Sequence, residues 1–281
     1  MQTFGVIGAG QMGSGIAQVA AAAGLSVVLI DAKRDLAEKA KAAIASQLSK
    51  QVEKGKLAKA EADAAVERIN ASADLAALSQ AEYVVEAAPE NQDMKTRIFA
   101  ELDKITPPGA VLASNTSSIS ITALAAATKR PAQVIGMHFM NPVPAMKLVE
   151  IIRGLQTSDT AYDVTKSLAD RLGKNTVLAK EAPGFIVNRI LISMLNEAIF
   201  VLEHGLASIE DIDAAMKLGT NQPMGPLQLA DLIGLDTVLA ITECLHGELG
   251  DDKYRPAPLL RRYVAAGWLG RKAGQGFYKY R

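Results

Sequence analysis

An apolar run at residues 3–7 breaks directly into Gly8-Ala9-Gly10-Gln11-Met12-Gly13, and a helical apolar pattern follows over residues 14–23. A short apolar run bounded by glycine reads as a buried strand. By themselves, three glycines at this spacing only make turns. Between a strand and a helix they do more. The first permits the tight turn, the second lets a pyrophosphate approach the backbone, and the third lets helix pack close on strand. Free N–H groups at the helix start attract phosphate. Gly24 ends the helix, residues 26–30 form the next strand, and Asp31 stands at its end. That is about 20 residues past the start of the motif, where an acid accepts ribose hydroxyls. Gly8, Gly10, Gly13 and Asp31 therefore predict a dinucleotide site. An acid there repels a 2′-phosphate, which favours NAD over NADP, although Lys33 and Arg34 close by keep NADP open.

The rest of the first 180 residues continues the alternation of strand and helix, which argues for a mostly parallel sheet with right-handed crossovers. Residues 33–70 are polar and Ala-rich, helical in pattern, and expected as two helices broken near Gly55. That is long for a plain crossover. Lys50, Lys54 and Lys56 cluster near the break, either as a solvated helix face or as an arm that meets phosphates. Residues 83–88 form a strand ending at Pro89-Glu90-Asn91, and a helix follows with Lys95 in its first turn. Glu90 and Lys95 flank a strand's carboxyl end. They either border a nicotinamide ribose or form a surface ion pair.

Three further apolar runs carry the candidate chemistry. Residues 111–113 end in Ser114-Asn115-Thr116-Ser117-Ser118. Residues 134–137 lead into His138, one of three histidines, and then into Asn141-Pro142-Val143-Pro144. Residues 147–152 hold a carboxylate, Glu150, inside an apolar strand. In parallel α/β sheets, ligands bind at the carboxyl ends of strands. A hydroxyl cluster, an imidazole and a carboxylate placed there can move a proton. The plainer reading is that the serines and threonines cap a helix over 119–128, and that His138 and Glu150 are structural.

At Glu181-Ala182-Pro183-Gly184 the character changes. Residues 185–203, 209–218, 226–249 and 258–266 read as helices, with one short strand considered at 276–280. We therefore expect an α/β Rossmann-type dinucleotide-binding domain over 1–183, with a helical arm at about 33–70, and an all-helical domain over 184–281. The apolar surplus of the first of these helices can also form a subunit interface. Asn188 interrupts that stripe. A buried amide needs partners, so it either caps local backbone or reaches a ligand.

Composition excludes several classes. Lysine plus arginine and aspartate plus glutamate number 30 each, so no bulk positive field invites nucleic acid. Cys244 is the single cysteine, which rules out an internal disulfide and fits a reducing compartment. Three scattered histidines and one cysteine offer no metal-ligand cluster. No apolar run approaches the roughly 20 residues that span a bilayer, and no basic leader precedes the first strand. A cytoplasmic location, without membrane contact, is expected.

The GxGxxG start, SNTSS, HFMNPVPAMKLVEI, PGFIVNR and MGPLQLADLIGLD, in this order along the whole chain, resemble the short-chain L-3-hydroxyacyl-CoA dehydrogenase family. The resemblance implies a Rossmann-type domain, a helical domain that binds substrate and forms a homodimer, and an active site in the cleft between them. It implies NAD-dependent oxidation of a 3-hydroxyacyl-CoA, with His138 as acid/base and Glu150 orienting it. It assigns Ser117 and Asn188 to the substrate's C3 oxygen and the catalytic set. Asp31, Glu90, Lys95, Asn141 and Lys272 go to the cofactor, and Lys54, with Lys50 beside it, to the coenzyme A moiety. Two other readings share the architecture. One is a dehydrogenase of a free hydroxy acid or sugar acid, and the other is an NAD-binding protein without turnover.

Overall fold

The computed structural model describes residues 2–280 and divides after Glu181 into two compact units. The first is built on one eight-stranded sheet in the order β3-β2-β1-β4-β5-β6-β7-β8. Its strands are β1 (Thr3–Ile7), β2 (Ser26–Ile30), β3 (Ile69–Ser72), β4 (Tyr83–Glu86), β5 (Val111–Ser114), β6 (Val134–Phe139), β7 (Leu148–Arg153) and β8 (Asn175–Lys180). Every neighbouring pair is parallel except β6 and β7. The central strands are buried on both faces, as expected for a sheet covered by crossover helices.

The strand order reverses between β1 and β4: β2 and β3 add on one side of β1, and β4, β5 and β6 on the other. The glycine loop leaves the sheet at that switch point, the place where doubly wound sheets hold ligands. Helix α1 (Gln11–Ala22) buries Ile16, Ala17, Ala20 and Ala21 against the sheet. Small residues on this face allow the close approach that the third glycine of the motif requires.

The 33–70 stretch forms α2 (Arg34–Glu53) and α3 (Lys59–Glu67), with Gly55 at φ 66° in the break. Reading it as helical to about Asn70 is corrected by β3, which starts at Ile69 and pairs with β2 in parallel. Four residues with alternating burial are too short for periodicity to reveal. Helices α4 (Gln92–Ile105), α5 (Ile121–Ala126) and α6 (Asp159–Arg171) complete this unit.

The second unit holds α7 (Val187–Glu203), α8 (Ile209–Thr220), α9 (Pro226–Ile233), α10 (Leu235–Leu249) and α11 (Pro258–Ala265) around its own core of Ile192, Leu195, Ile199, Leu227, Leu235, Val238 and Leu260. The single helix expected over 226–249 is two, because Gly234 takes φ 102° and ends α9. The tail expected as a strand makes only isolated bridges, such as Gln275 with Lys279. A buried carboxylate holds it: Asp231 accepts from the Phe277 and Tyr278 amides at 2.9 Å each and from the Tyr280 hydroxyl at 2.9 Å. Among the described residues, no helix is long and apolar enough to cross a membrane.

Candidate active site

The glycine loop has the shape its sequence calls for. Gly8 sits at φ 96°, and a Cβ on Gly13 would lie 1.7 Å from the Gly8 carbonyl oxygen. Neither position accepts a side chain. A Cβ on Gly10 would meet nothing within 4 Å, so this glycine leaves open space at the start of α1. No side chain caps that end of the helix, and its first N–H groups are left for an anion. Asp31 at the end of β2 turns toward the loop, and its Oδ2 accepts from the Ala9 amide at 2.7 Å. These features fit a pyrophosphate on the loop and a ribose beside Asp31.

On the other side of the switch point, β6 and β7 put His138 and Glu150 together. The antiparallel register sets His138 directly opposite Glu150, so both side chains leave the same face of the sheet at neighbouring positions. His138 Nδ1 lies 2.7 Å from Glu150 Oε2. Glu150 is fully buried and His138 is 7% exposed. A carboxylate at this distance favours the tautomer with the proton on Nδ1 and stabilises an imidazolium when one forms.

The hydroxyl cluster stands next to this pair. Asn115 Oδ1 accepts from the Phe139 amide at 2.9 Å, which ties the Ser114–Ser118 loop to the residue after His138. Glu90 lies beneath the loop. Its Oε1 accepts from Thr116 Oγ1 at 2.5 Å, from the Ser117 and Ser118 amides at 3.0 and 3.2 Å, and from Ser118 Oγ at 3.0 Å. Burial pushes the Glu90 carboxyl up. The Lys95 ammonium, the Thr116 hydroxyl, the Ser117 amide and the Ser118 hydroxyl outweigh that and hold it below the usual carboxylate range. A depressed folded value means that its contribution is present above the unfolded value and is lost as pH falls through the folded one. The serines and threonine do not cap a helix over 119–128; α5 starts at Ile121 and Ser120 caps it.

Lys95 corrects one expectation. It is 1% exposed and is not a surface partner. Its Nζ donates to Glu86 Oε1 at 2.6 Å and to the Ala88 carbonyl at 3.0 Å, and lies 3.4 Å from Glu90 Oε2. The ammonium therefore sits under the strand ends, where it supports Glu90 rather than presenting itself at the surface. Glu86, which the sequence reading passed over, is the partner. The signal was there, since it is a carboxylate inside an apolar strand, as Glu150 is.

The 140–147 loop carries Asn141, which is exposed. A buried lysine holds this loop: Lys174 Nζ donates to the Val143 and Met146 carbonyls at 2.5 and 2.8 Å, and burial pushes its ammonium down from the usual lysine value. Between the loop, α1 and α2 lies a groove of about 480 Å³, lined by Gly10, Gln18, Asp31, Lys39, Gln47 and Asn141 among others. Along α2 the lining stripe runs Lys39, Ala43, Gln47. Lys50 and Lys54 do not line the groove, but they extend the same stripe at i+3 and i+4, and both are exposed.

Two candidates belong to the second unit. Asn188 is half-buried in the first turn of α7. It does not cap that helix, and its amide has no hydrogen-bond partner among the described residues. Lys272 is exposed and pairs with Asp236 at 2.6 Å.

The comparisons agree with this geometry. The family model for the 3-hydroxyacyl-CoA dehydrogenase NAD binding domain matches residues 3–182, and that for the 3-hydroxyacyl-CoA dehydrogenase C-terminal domain matches residues 184–280. A probable 3-hydroxybutyryl-CoA dehydrogenase of Deinococcus radiodurans is 57% identical over 277 residues, covering 99% of each chain. The 3-hydroxybutyryl-CoA dehydrogenase of Bradyrhizobium diazoefficiens is 53% identical over 281 residues, covering 100% of this chain and 96% of the relative. The crystal structure of an (S)-3-hydroxybutyryl-CoA dehydrogenase from Ralstonia eutropha superposes with a TM-score of 0.97 at 52% identity, covering 100% of this chain and 99% of that one. With an NAD-binding domain over its first 180 residues and full-length likeness to these oxidoreductases, the chain belongs to the 3-hydroxyacyl-CoA dehydrogenase family.

Proposed function

We propose that the protein interconverts (S)-3-hydroxyacyl-CoA and 3-ketoacyl-CoA, with 3-hydroxybutyryl-CoA and acetoacetyl-CoA as the pair it serves. The observation that carries this reading is the buried His138–Glu150 pair, 2.7 Å apart, beside the Ser117 loop. NAD held at the glycine loop and Asp31 would supply the hydride acceptor for C3, and NADH the donor in the reverse direction. His138 takes the hydroxyl proton through Nε2 as a general base, and in reduction gives it back. Glu150 keeps the imidazole in one tautomer and stabilises its charged form. Ser117, and Asn188 from the helical unit, orient the C3 oxygen by hydrogen bonds. Asp31 and Glu90 hold the ribose hydroxyls, and Asn141 and Lys272 complete the cofactor set. The groove along α2 takes the pantetheine arm, and Lys50 and Lys54 meet the phosphates. The protein acts as a cytoplasmic homodimer assembled through its helical unit.

The test is reduction by NADH of acetoacetyl-CoA compared with free acetoacetate. Turnover of the thioester at least 10²-fold better in kcat/KM is expected if remote binding energy is used. Equal turnover would point to a free-acid dehydrogenase, and none at all to a binding protein.

Two variants examine the ends of this assignment. Asp31→Ala is expected to weaken NAD more than NADP, because the lost acceptor serves only an unmodified ribose. An unchanged ratio of kcat/KM would remove Asp31 from the ribose. Lys54→Ala is expected to raise KM for acetoacetyl-CoA several-fold at low salt and less at high salt, since an exposed lysine acts on phosphate as a screened point charge. A truncated thioester without the nucleotide should be affected little. The same change with both substrates would return Lys54 to a solvated helix face.

A further inference from the structure

The Ser114–Ser118 loop is held by a ring of hydrogen bonds, closed by one ion pair, whose centre takes no direct part in the proposed chemistry. Glu86, the last residue of β4, is fully buried. Its Oε1 accepts from Lys95 Nζ and from the Ala88 amide at 2.6 Å each, and its Oε2 accepts from Ser114 Oγ at 2.6 Å. Ser114 Oγ in turn accepts from the Thr116 amide at 3.1 Å. Thr116 Oγ1 donates to Glu90, and Glu90 Oε2 returns to Lys95 at 3.4 Å. One carboxylate thus grips both loops that leave the adjacent strand ends: Ala87–Glu90 through Ala88 and Lys95, and Ser114–Ser118 through Ser114. Asn115 Oδ1, accepting from the Phe139 amide, extends the grip to the His138 strand.

Sequence alternation alone does not place a charge here. A residue in the middle of a doubly covered parallel sheet is normally apolar, and a buried ion pair is weak as a source of stability compared with an apolar replacement. Its remaining use is geometric, because a fully satisfied buried network fixes one arrangement of the groups around it. The side-chain partners of Glu86, Lys95 and Ser114, lead on to Glu90 and, through Thr116, to the loop that carries Ser117.

We propose that Glu86 is a positioning residue for the reaction, acting with Ser114 and Lys95 to set where Ser117 and Glu90 stand relative to His138. The functional half of this rests on the dehydrogenase reading above. The existence of the ring as the loop's determinant does not, and the two are tested by separate measurements.

The first is hydrogen exchange of the full chain followed by mass spectrometry, comparing wild type with Glu86→Gln. Amides of residues 114–118 and 88–91 are expected to exchange roughly ten-fold faster or more, as for a locally opened segment, while strand β2 stays protected. The second is the kinetics of acetoacetyl-CoA reduction in a cycle with Ser117→Ala. Glu86→Gln alone is expected to lower kcat/KM on the order of 10²-fold or less, the usual effect of a misplacement of about 1 Å. It should lower it little further once Ser117 is gone, because the two act as a unit. Ser114→Ala keeps the Glu86–Lys95 pair and cuts only the link to the loop. It serves in both measurements if Glu86→Gln does not fold, with the same results expected. Unchanged exchange over 114–118 overturns the proposal, and so do losses that multiply in the cycle. If the wild type does not turn over the thioester, the dehydrogenase reading fails and exchange alone decides whether Glu86 holds the loop.

Discussion

His138→Gln is expected to lower kcat on the order of 10²–10⁴-fold in both directions, the range for removal of a general acid or base, while NADH still binds. Glutamine keeps the volume of the side chain and can still hydrogen-bond Glu150, so loss of fold is not the expected route. Glu150→Gln is expected to lower kcat as well, because an amide cannot hold Nδ1–H and stabilise an imidazolium as a carboxylate does. The double variant should cost less than the product of the two single losses, since one residue works through the other. The register that places them opposite each other makes this coupling direct. Fully multiplicative losses, measured in steady state, would show that Glu150 acts independently of His138.

The second large effect is on stability. Lys95→Ala is expected to cost about 3–5 kcal/mol, the range for breaking a buried ion pair and leaving its partner charged. The partner is Glu86, and the two side chains are 1% and 0% exposed. In a chain of this size that is a fall in melting temperature on the order of 10 °C. Lys104→Ala provides the contrast: it pairs with Glu101 at 2.7 Å, but both side chains are at least half exposed, so a change below about 1 kcal/mol is expected. Thermal denaturation of the two variants, with and without NADH, separates the roles. If Lys95→Ala melts like wild type and only NADH affinity drops, Lys95 is a direct cofactor contact and its burial is incidental.

The sequence made the mostly parallel sheet and the dinucleotide loop legible because the glycine motif, the short apolar strands and Asp31 all depend on local backbone geometry. It made His138 and Glu150 legible for a similar reason: each polar group stands at or inside an apolar strand, and such a group needs a purpose. What it did not show was pairing across the sheet. Lys95 was placed by its helical position in the first turn of α4, which says nothing of the carboxylate waiting on β4. Glu86 carried the same signal as Glu150 and went unused, since the strand was read for its apolar members. Strand β3 was hidden by the polar helices before it, and the break at Gly234 by the apolar residues on both sides. The stripe on α2 was read only as a lysine cluster, because the groove it borders is closed by the 140–147 loop, nearly a hundred residues away in the chain. For Asn188 the sequence leaves two alternatives open, and in the structure it does not cap α7.

The role of His138 as proton carrier is tested most directly by the pH dependence of kcat/KM in both directions, for wild type and His138→Gln. Oxidation of 3-hydroxybutyryl-CoA needs the neutral imidazole and should weaken as pH falls. Reduction of acetoacetyl-CoA needs the protonated form and should weaken as pH rises. The two profiles are expected to fall in opposite directions, and both limbs should vanish in His138→Gln. A limb that survives in that variant at its wild-type position would mean that another group carries the proton.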